Sequence, residues 1–328
     1  MRHLLPLGML CMFALSAPAT TLFVREAAKG NGTSWADATG DLVATLLRAQ
    51  AGDQVWVAKG IYYPSAENNR RKAFTIPAGV QVLGGFAGNE TSLQQRDLQS
   101  NKTVLSGNIG SKNNPEDNSF TVVYLKNTNE ETVLDGFVIT DGNSNGNGPT
   151  ADLDRSGAGM YIDGSGNTAR PLIRNCIFQN NHAREGGAVY LNGKGGQCNP
   201  VFLNCQFLNN RAELDGGAIF NDGRQRGEAS PEMRHCVFNN NQSNYGGAMC
   251  NYGGKGESSP VIQTCVFVSN EAFLRGGAIF NMDVEGVTHP KINDCQFVDN
   301  QAIAGKGMYT FSKYQDKVTN AEPVFKMD

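Results

Sequence analysis

Four residues that share one place in the chain could do chemistry together. Glu185, Asp215, Tyr245 and Arg275 each stand immediately before a Gly-Gly pair. Stacked at steps of about 4.8 Å, they would line up a carboxylate pair, a phenol and a guanidinium. Eliminative cleavage of an acidic polysaccharide asks for such groups: a cation to neutralise the acid, a base and a phenol. Glu185 and Asp215 would also give Ca2+ the hard oxygen ligands it takes, and no other cofactor is implied. The plainer alternative is that residues beside a turn are polar and vary freely.

Two other features look chemical and are not. In "CVFVSNEAFLRGGAIFN" (265–281) the cysteine could be a nucleophile and the glycine pair a phosphate loop. A nucleophilic cysteine is singular and has a base partner, whereas Cys176, Cys205, Cys236, Cys265 and Cys295 recur at intervals of 29, 31, 29 and 30 residues. Five equivalent cysteines at inward positions are small core hydrophobes. The glycine pairs have no Lys-Ser/Thr behind them, and "GGKGES" (253–258) lacks the phosphate-loop spacing. His182, His235 and His289 fall at three different repeat positions, as ordinary polar surface residues would.

The elements that must position these residues come from the same repeat. Each cysteine is followed two positions on by Phe178, Phe207, Phe238, Phe267 or Phe297, and then by Asn181, Asn210, Asn241, Asn270 or Asn300. Gly-Gly-Ala and an apolar pair follow, and Pro171, Pro200, Pro231, Pro260 and Pro290 open the units. In Cys-x-Phe the apolar residues alternate with polar ones, so both face one side of a short strand. Glycine and proline mark corners. Units of about 30 residues with short strands and such corners describe coils of a parallel β-solenoid. Cysteine, phenylalanine and asparagine then form ladders, the asparagines at a bend where their amides satisfy backbone groups. Behind the glycine pairs, Tyr161, Tyr190, Phe220, Phe280 and Tyr309, with Cys250 in the matching place, alternate with Val189, Ile219, Met249 and Ile279. One of these two columns must face inward, and the aromatic column is the expected core.

The flanks bound the rest. Met1-Arg2-His3, an apolar run from Leu4 to Leu15 and Ser16-Ala17-Pro18-Ala19 read as a secretory signal peptide over residues 1–19. No later segment reaches the roughly 20 apolar residues of a membrane helix. The net charge of −3 argues against nucleic acid as a partner. Loss of Cys11 with the leader would leave seven cysteines, an odd number for a framework of paired disulfides. Helical periodicity is confined to Asp41–Gln50, within a cap over 20–53, and the solenoid is expected over 54–328, clearest over 157–310.

Phe-x-x-Asn followed by Gly-Gly-Ala-Ile, as in "FVSN" with "GGAIF" and "FLNN" with "GGAIF", resembles the repeat of polymorphic outer membrane proteins. The segments "GNGTSWADA", "AGDQVWVAKGIYYP", "GVQVLGGFAGNE", "TVLSGNIG" and "TVLDGFVIT" are similar to the opening region of pectate-lyase-like β-helix proteins. The resemblance implies an all-β, right-handed parallel β-helix with a short N-terminal capping helix. Eight or nine coils would make a rod of about 40 Å. It also implies an exported protein at the cell surface, associated with the outer membrane or extracellular, that adheres through glycans or a partner protein. Two features depart from the family. The sequence stops at "AEPVFKMD" with no membrane barrel, so membrane insertion is not carried over. The paired aspartates and Gly-His-Gly of polygalacturonases are missing. Non-catalytic binding of a polysaccharide or cell-surface partner is therefore the leading expectation. A lyase or hydrolase acting on an acidic polysaccharide and a structural spacer are the alternatives. The C-terminal coil is where an oligomer would join.

Overall fold

The computed structural model describes residues 19–312 and 317–319. The expected signal peptide, Cys11 within it and the terminal "AEPVFKMD" lie outside the described residues. The described residues form an all-β parallel solenoid of about 10 turns with one short α-helix, Leu42–Arg48. Each complete coil adds one strand to each of four long parallel sheets. In one coil these are Leu172–Arg174 (sheet I), Ile177–Gln179 (sheet II), His182–Glu185 (sheet III) and Val189–Asn192 (sheet IV). Sheets I to IV hold nine, eight, five and nine strands. Among the strands of the described residues, Lys317–Thr319 at the end of sheet IV alone pairs antiparallel.

The stack begins earlier than residue 54. Thr21–Val24 pairs in parallel register with Gln54–Val57, so the stretch expected as a cap already supplies the first strand of sheet I. Leu42 and Leu46 of the helix enter the same apolar core as the strands. Asp41 caps the helix by accepting from Ala44 N–H at 2.8 Å.

The corners explain the polar residues between the apolar ones. The residue before each ladder cysteine is in the left-handed region: Asn175, Asn204, His235, Thr264 and Asp294, at φ 51–54°. The residue before each ladder asparagine is too: Asn180, Asn209, Asn240, Ser269 and Asp299. Asparagine and aspartate tolerate this conformation because their short polar side chains bond locally. His235 is thus a corner residue. The third corner needs glycine: a Cβ on Gly246 would sit 2.1 Å from Met249 O, at φ +66°. Thr264 is β-branched at φ 53°, which is strained. Thr264→Asn is expected to stabilise the protein by about 1 kcal/mol. Urea denaturation checks this, and an unchanged midpoint would show that the corner stores no strain.

Inside, the ladders run as the repeat implies. Phe178, Phe207, Phe238, Phe267 and Phe297 stack with ring centroids 4.6–5.0 Å apart and planes within 6°. That separation is the inter-strand spacing, so ring stacking and backbone pairing are satisfied by one geometry. All seven cysteines of the described residues are buried and free. Burial pushes the thiols of Cys198, Cys205 and Cys250 well up, away from the thiolate a nucleophile needs.

The aromatic column is not part of this central core. Val189, Ile219, Met249 and Ile279 face the core of the coils. Tyr161, Tyr190, Phe220, Cys250, Phe280 and Tyr309 form a separate cluster on the opposite face of sheet IV. Both columns are nonetheless buried, because side chains and a loop flank the aromatic rings. The coil interior is closed by aliphatic residues that fit between the Phe ladder and the opposite strands, and the broad rings take the outer face.

Candidate binding faces

The four residues before the glycine pairs do come together. Glu185 pairs with Asp215, Asp215 with Tyr245, and Tyr245 with Arg275, as direct neighbours along sheet III. Strand irregularities before these positions turn the column toward the aromatic cluster. Their side chains have different occupations. Glu185 is 3% exposed and is gripped by Arg155, whose guanidinium donates to both carboxylate oxygens at 2.6–3.1 Å. A bidentate pair of this kind neutralises the carboxylate and fixes it in place. Tyr245 lays its ring 5.0 Å from Phe280. Arg275 stacks over Tyr309 at 4.9 Å.

Tyr245 takes up that position because Cys250 interrupts the aromatic ladder. Tyr161, Tyr190 and Phe220 stack at 5.2 Å intervals, but the next rung has only a thiol. Tyr245 from one side and Tyr252 from the other close the gap, Tyr252 meeting Phe220 edge-on at 6.4 Å. The phenol that the spacing offered for chemistry is a packing element.

Asp215 is the member of the column with chemical latitude. Its carboxyl is pushed up to about 7, first by burial and then by the neighbouring Glu185. It can exchange a proton near neutrality. A Ca2+ ion shared by Glu185 and Asp215 would have to compete with Arg155 for the first and with a proton for the second. Among the described residues, no group of three or more His, Cys, Asp and Glu side chains is placed to hold a metal.

A second charged group flanks the aromatic rings and was not singled out in the sequence. Asp222 is fully buried and binds Arg224 through two hydrogen bonds of 2.7 Å, with Lys194 Nζ at 3.3 Å. It also accepts from Tyr190 Oη, and burial together with this carboxylate drives the Tyr190 phenol well up. Asp222 aligns with Asn192 and Tyr252 in register, so the column was there to read. Its partner Arg224 sits in a loop that the repeat does not constrain.

The outward side of sheet III is different in kind. His182, Arg211, Gln242 and Glu271 align across four coils, with Ala183, Ala212, Ser243 and Ala272 as the inward neighbours in their strands. Arg211, Glu213, Gln242, Asn244, Glu271 and Phe273 line a shallow hollow of about 220 Å³. Phe273 is 69% exposed, a large apolar ring set among planar polar groups. Arg184 reaches Glu213 at 3.5 Å, and Gln242 donates to Glu271 at 3.4 Å. His182, at the upper edge, is held down in its affinity for protons by burial, against the pull of Glu213.

Residues 175–192 and 204–222 match the Chlamydia polymorphic membrane protein repeat. No curated protein matches the chain. The two matched segments each run from a corner through the Phe and Asn ladders to the strand after Gly-Gly-Ala, and neighbouring coils keep that register. The chain is a parallel β-solenoid, and two of its coils carry segments similar to the Chlamydia polymorphic membrane protein repeat.

Proposed function

We propose that this is an exported bacterial protein displayed at the outer membrane surface, and that it binds a glycan through the outward face of sheet III without cleaving it. The repeat family supports the location. One observation supports the binding face: Phe273 stands exposed beside Arg211, Gln242, Asn244 and Glu271, a ring flanked by planar donors and acceptors. A sugar presents an apolar face and a rim of hydroxyls, which this combination matches, and solenoids use extended faces of this kind. The column before the glycine pairs fits catalysis less well, since Glu185, Tyr245 and Arg275 are engaged by Arg155, Phe280 and Tyr309. We also take the solenoid to wind right-handed, as parallel crossovers do, and the helix Leu42–Arg48 to cover the first coil.

Glycan-array binding followed by titration tests the reading. Phe273→Ala is expected to weaken binding at least about tenfold, or about 1.4 kcal/mol, while Tyr245→Phe leaves it unchanged. No glycan bound by the wild type, or binding indifferent to Phe273→Ala, would remove sheet III from consideration. Release of ultraviolet-absorbing unsaturated ends from pectate, alginate or a glycosaminoglycan would restore the lyase alternative.

A further inference from the structure

The N-terminal end of the stack is unevenly filled. Sheet I begins with Thr21–Val24, which lies beside Gln54–Val57 of the next coil. Sheet II begins only in that next coil, with Gly60–Tyr62. This strand pairs with Thr103–Leu105 on one side and with no strand of the described residues on the other. The first coil therefore has a strand in sheet I and none in sheet II. Its chain turns back after Val24, where Ala28 N–H donates to Arg25 O at 3.1 Å, and returns past Thr39 to the helix Leu42–Arg48.

A cavity of about 770 Å³ lies where that strand would be. Ile61 and Tyr63 line it from the edge of sheet II, Glu26 from the turn after Thr21–Val24, and Leu47 from the helix. Leu47, Ile61 and Tyr63 are 77%, 45% and 42% exposed. Exposed apolar side chains scattered singly mean little, but three gathered on one concavity of this size mark a binding site. The backbone at the edge is also unpaired. Gly60 N–H donates to Lys102 O at 3.2 Å, on the side of Thr103–Leu105. Neighbouring residues of a strand bond to opposite sides, so Ile61 turns its N–H and C=O toward the cavity.

Charge is divided along this edge. A Cβ on Gly60 would lie 2.6 Å from Glu26 Oε2, so the Glu26 carboxylate stands at the Gly60 end. Asp41 lines the cavity from the same end, two residues beyond Thr39, which bridges Val24. Glu67, Lys72 and Lys112 line the Tyr63 end, on the segments that follow Gly60–Tyr62 and Thr103–Ser106. All five are exposed. The Gly60 end is therefore acidic and the Tyr63 end carries the two lysines. We propose that the cavity binds an extended peptide of a partner protein, which adds a parallel strand to Gly60–Tyr62 and completes sheet II in the first coil. Its direction is that of every other neighbour pair in sheet II. Ile61 N–H and C=O hold the peptide backbone, and alternate apolar side chains meet Leu47, Ile61 and Tyr63. The charges select a basic residue at the N-terminal end of the peptide, beside Glu26 and Asp41, and an acidic one at its C-terminal end, beside Lys72 and Lys112. The site is separate from the sheet III hollow and does not rest on glycan binding.

Fluorescence anisotropy with two synthetic peptides tests the site, Lys-Val-Thr-Val-Glu and its charge reversal Glu-Val-Thr-Val-Lys, each labelled through a C-terminal linker. The first should bind with a Kd below about 1 mM and at least about tenfold more tightly than the second. Ile61→Pro removes the free N–H without touching the bonds to Thr103–Leu105, and proline is tolerated at a sheet edge; it should weaken binding at least about tenfold. Glu26→Lys should make Glu-Val-Thr-Val-Glu the better ligand over Lys-Val-Thr-Val-Glu, a gain that a misfolded variant cannot mimic. Phe273→Ala should leave peptide binding unchanged. Absence of binding at millimolar peptide overturns the proposal, as does equal binding of the two peptides or binding indifferent to Ile61→Pro. A dimer of the wild type that Ile61→Pro dissociates would also overturn it, giving the edge to a second copy of the chain.

Discussion

Phe238→Ala is expected to lower the unfolding free energy by about 3–5 kcal/mol, the range for truncating a buried aromatic residue. Phe238 has no exposed surface and lies between Phe207 and Phe267, with ring centroids 4.7 and 4.6 Å away. The cost should sit at the upper end because the gap cannot close. The coils above and below are held at strand spacing by backbone pairs, Gln206 with Val237 and Val237 with Val266, so the walls of the cavity stay in place. The same substitution in a helical core could be softened by a shift of the whole helix. Urea denaturation of the protein measures the effect, and a loss under about 1 kcal/mol would show that the Phe ladder is not what holds neighbouring coils together.

Asn241→Leu should be comparably damaging, at about 3 kcal/mol or more, although it leaves side-chain volume nearly unchanged. Asn241 is fully buried, and its Oδ1 accepts from Asn210 N–H at 3.1 Å and from Asn210 Nδ2 at 3.0 Å. Its Nδ2 donates to Phe207 O and to Asn270 Oδ1, both at 2.9 Å. Leucine would strand the Asn210 N–H inside the stack and remove the side-chain bonds to Phe207 O and Asn270 Oδ1; a buried orphan costs about 1–3 kcal/mol and each lost hydrogen bond about 1 kcal/mol more. The neighbouring Asn239→Leu supplies the contrast. Asn239 faces solvent on sheet II, and its replacement should change stability by no more than about 0.5 kcal/mol. Similar losses at the two positions would mean that the ladder contributes through chain composition and not through its hydrogen bonds.

Much of this molecule was open to reading before any coordinates, because in a solenoid the sequence period is the structural period. The Cys, Phe and Asn positions recur at the coil length, so their stacking followed from strand geometry alone. What the period leaves open is of two kinds. Some of it lay in the same repeat but at a position whose facing was ambiguous. Asn221, Asn251 and Asn281 form a second buried ladder ending on Thr310, with hydrogen bonds of 2.6, 2.8 and 3.0 Å. They come two residues after the inward column and so share its face, which became clear only once the aliphatic column was known to point inward. The rest lay outside the repeat: Arg155 and Arg224 are on loops, and no period constrains a loop.

By itself the sequence determined the parallel stack, the alignment of its ladders and the neighbour relations of Glu185, Asp215, Tyr245 and Arg275. Those are statements about register, and register follows from repeats of nearly constant length. Only the tertiary structure decided what those four side chains do. Glu185 is neutralised by a residue 30 positions earlier in a loop, and Tyr245 fills a gap left by one cysteine in an aromatic ladder. It also decided which face of sheet IV is the core. Alternation says that two columns point opposite ways, but not which is inside. That choice depends on the volume between facing sheets and on the loops that cover the outer rings, and both are set by residues distant in the chain.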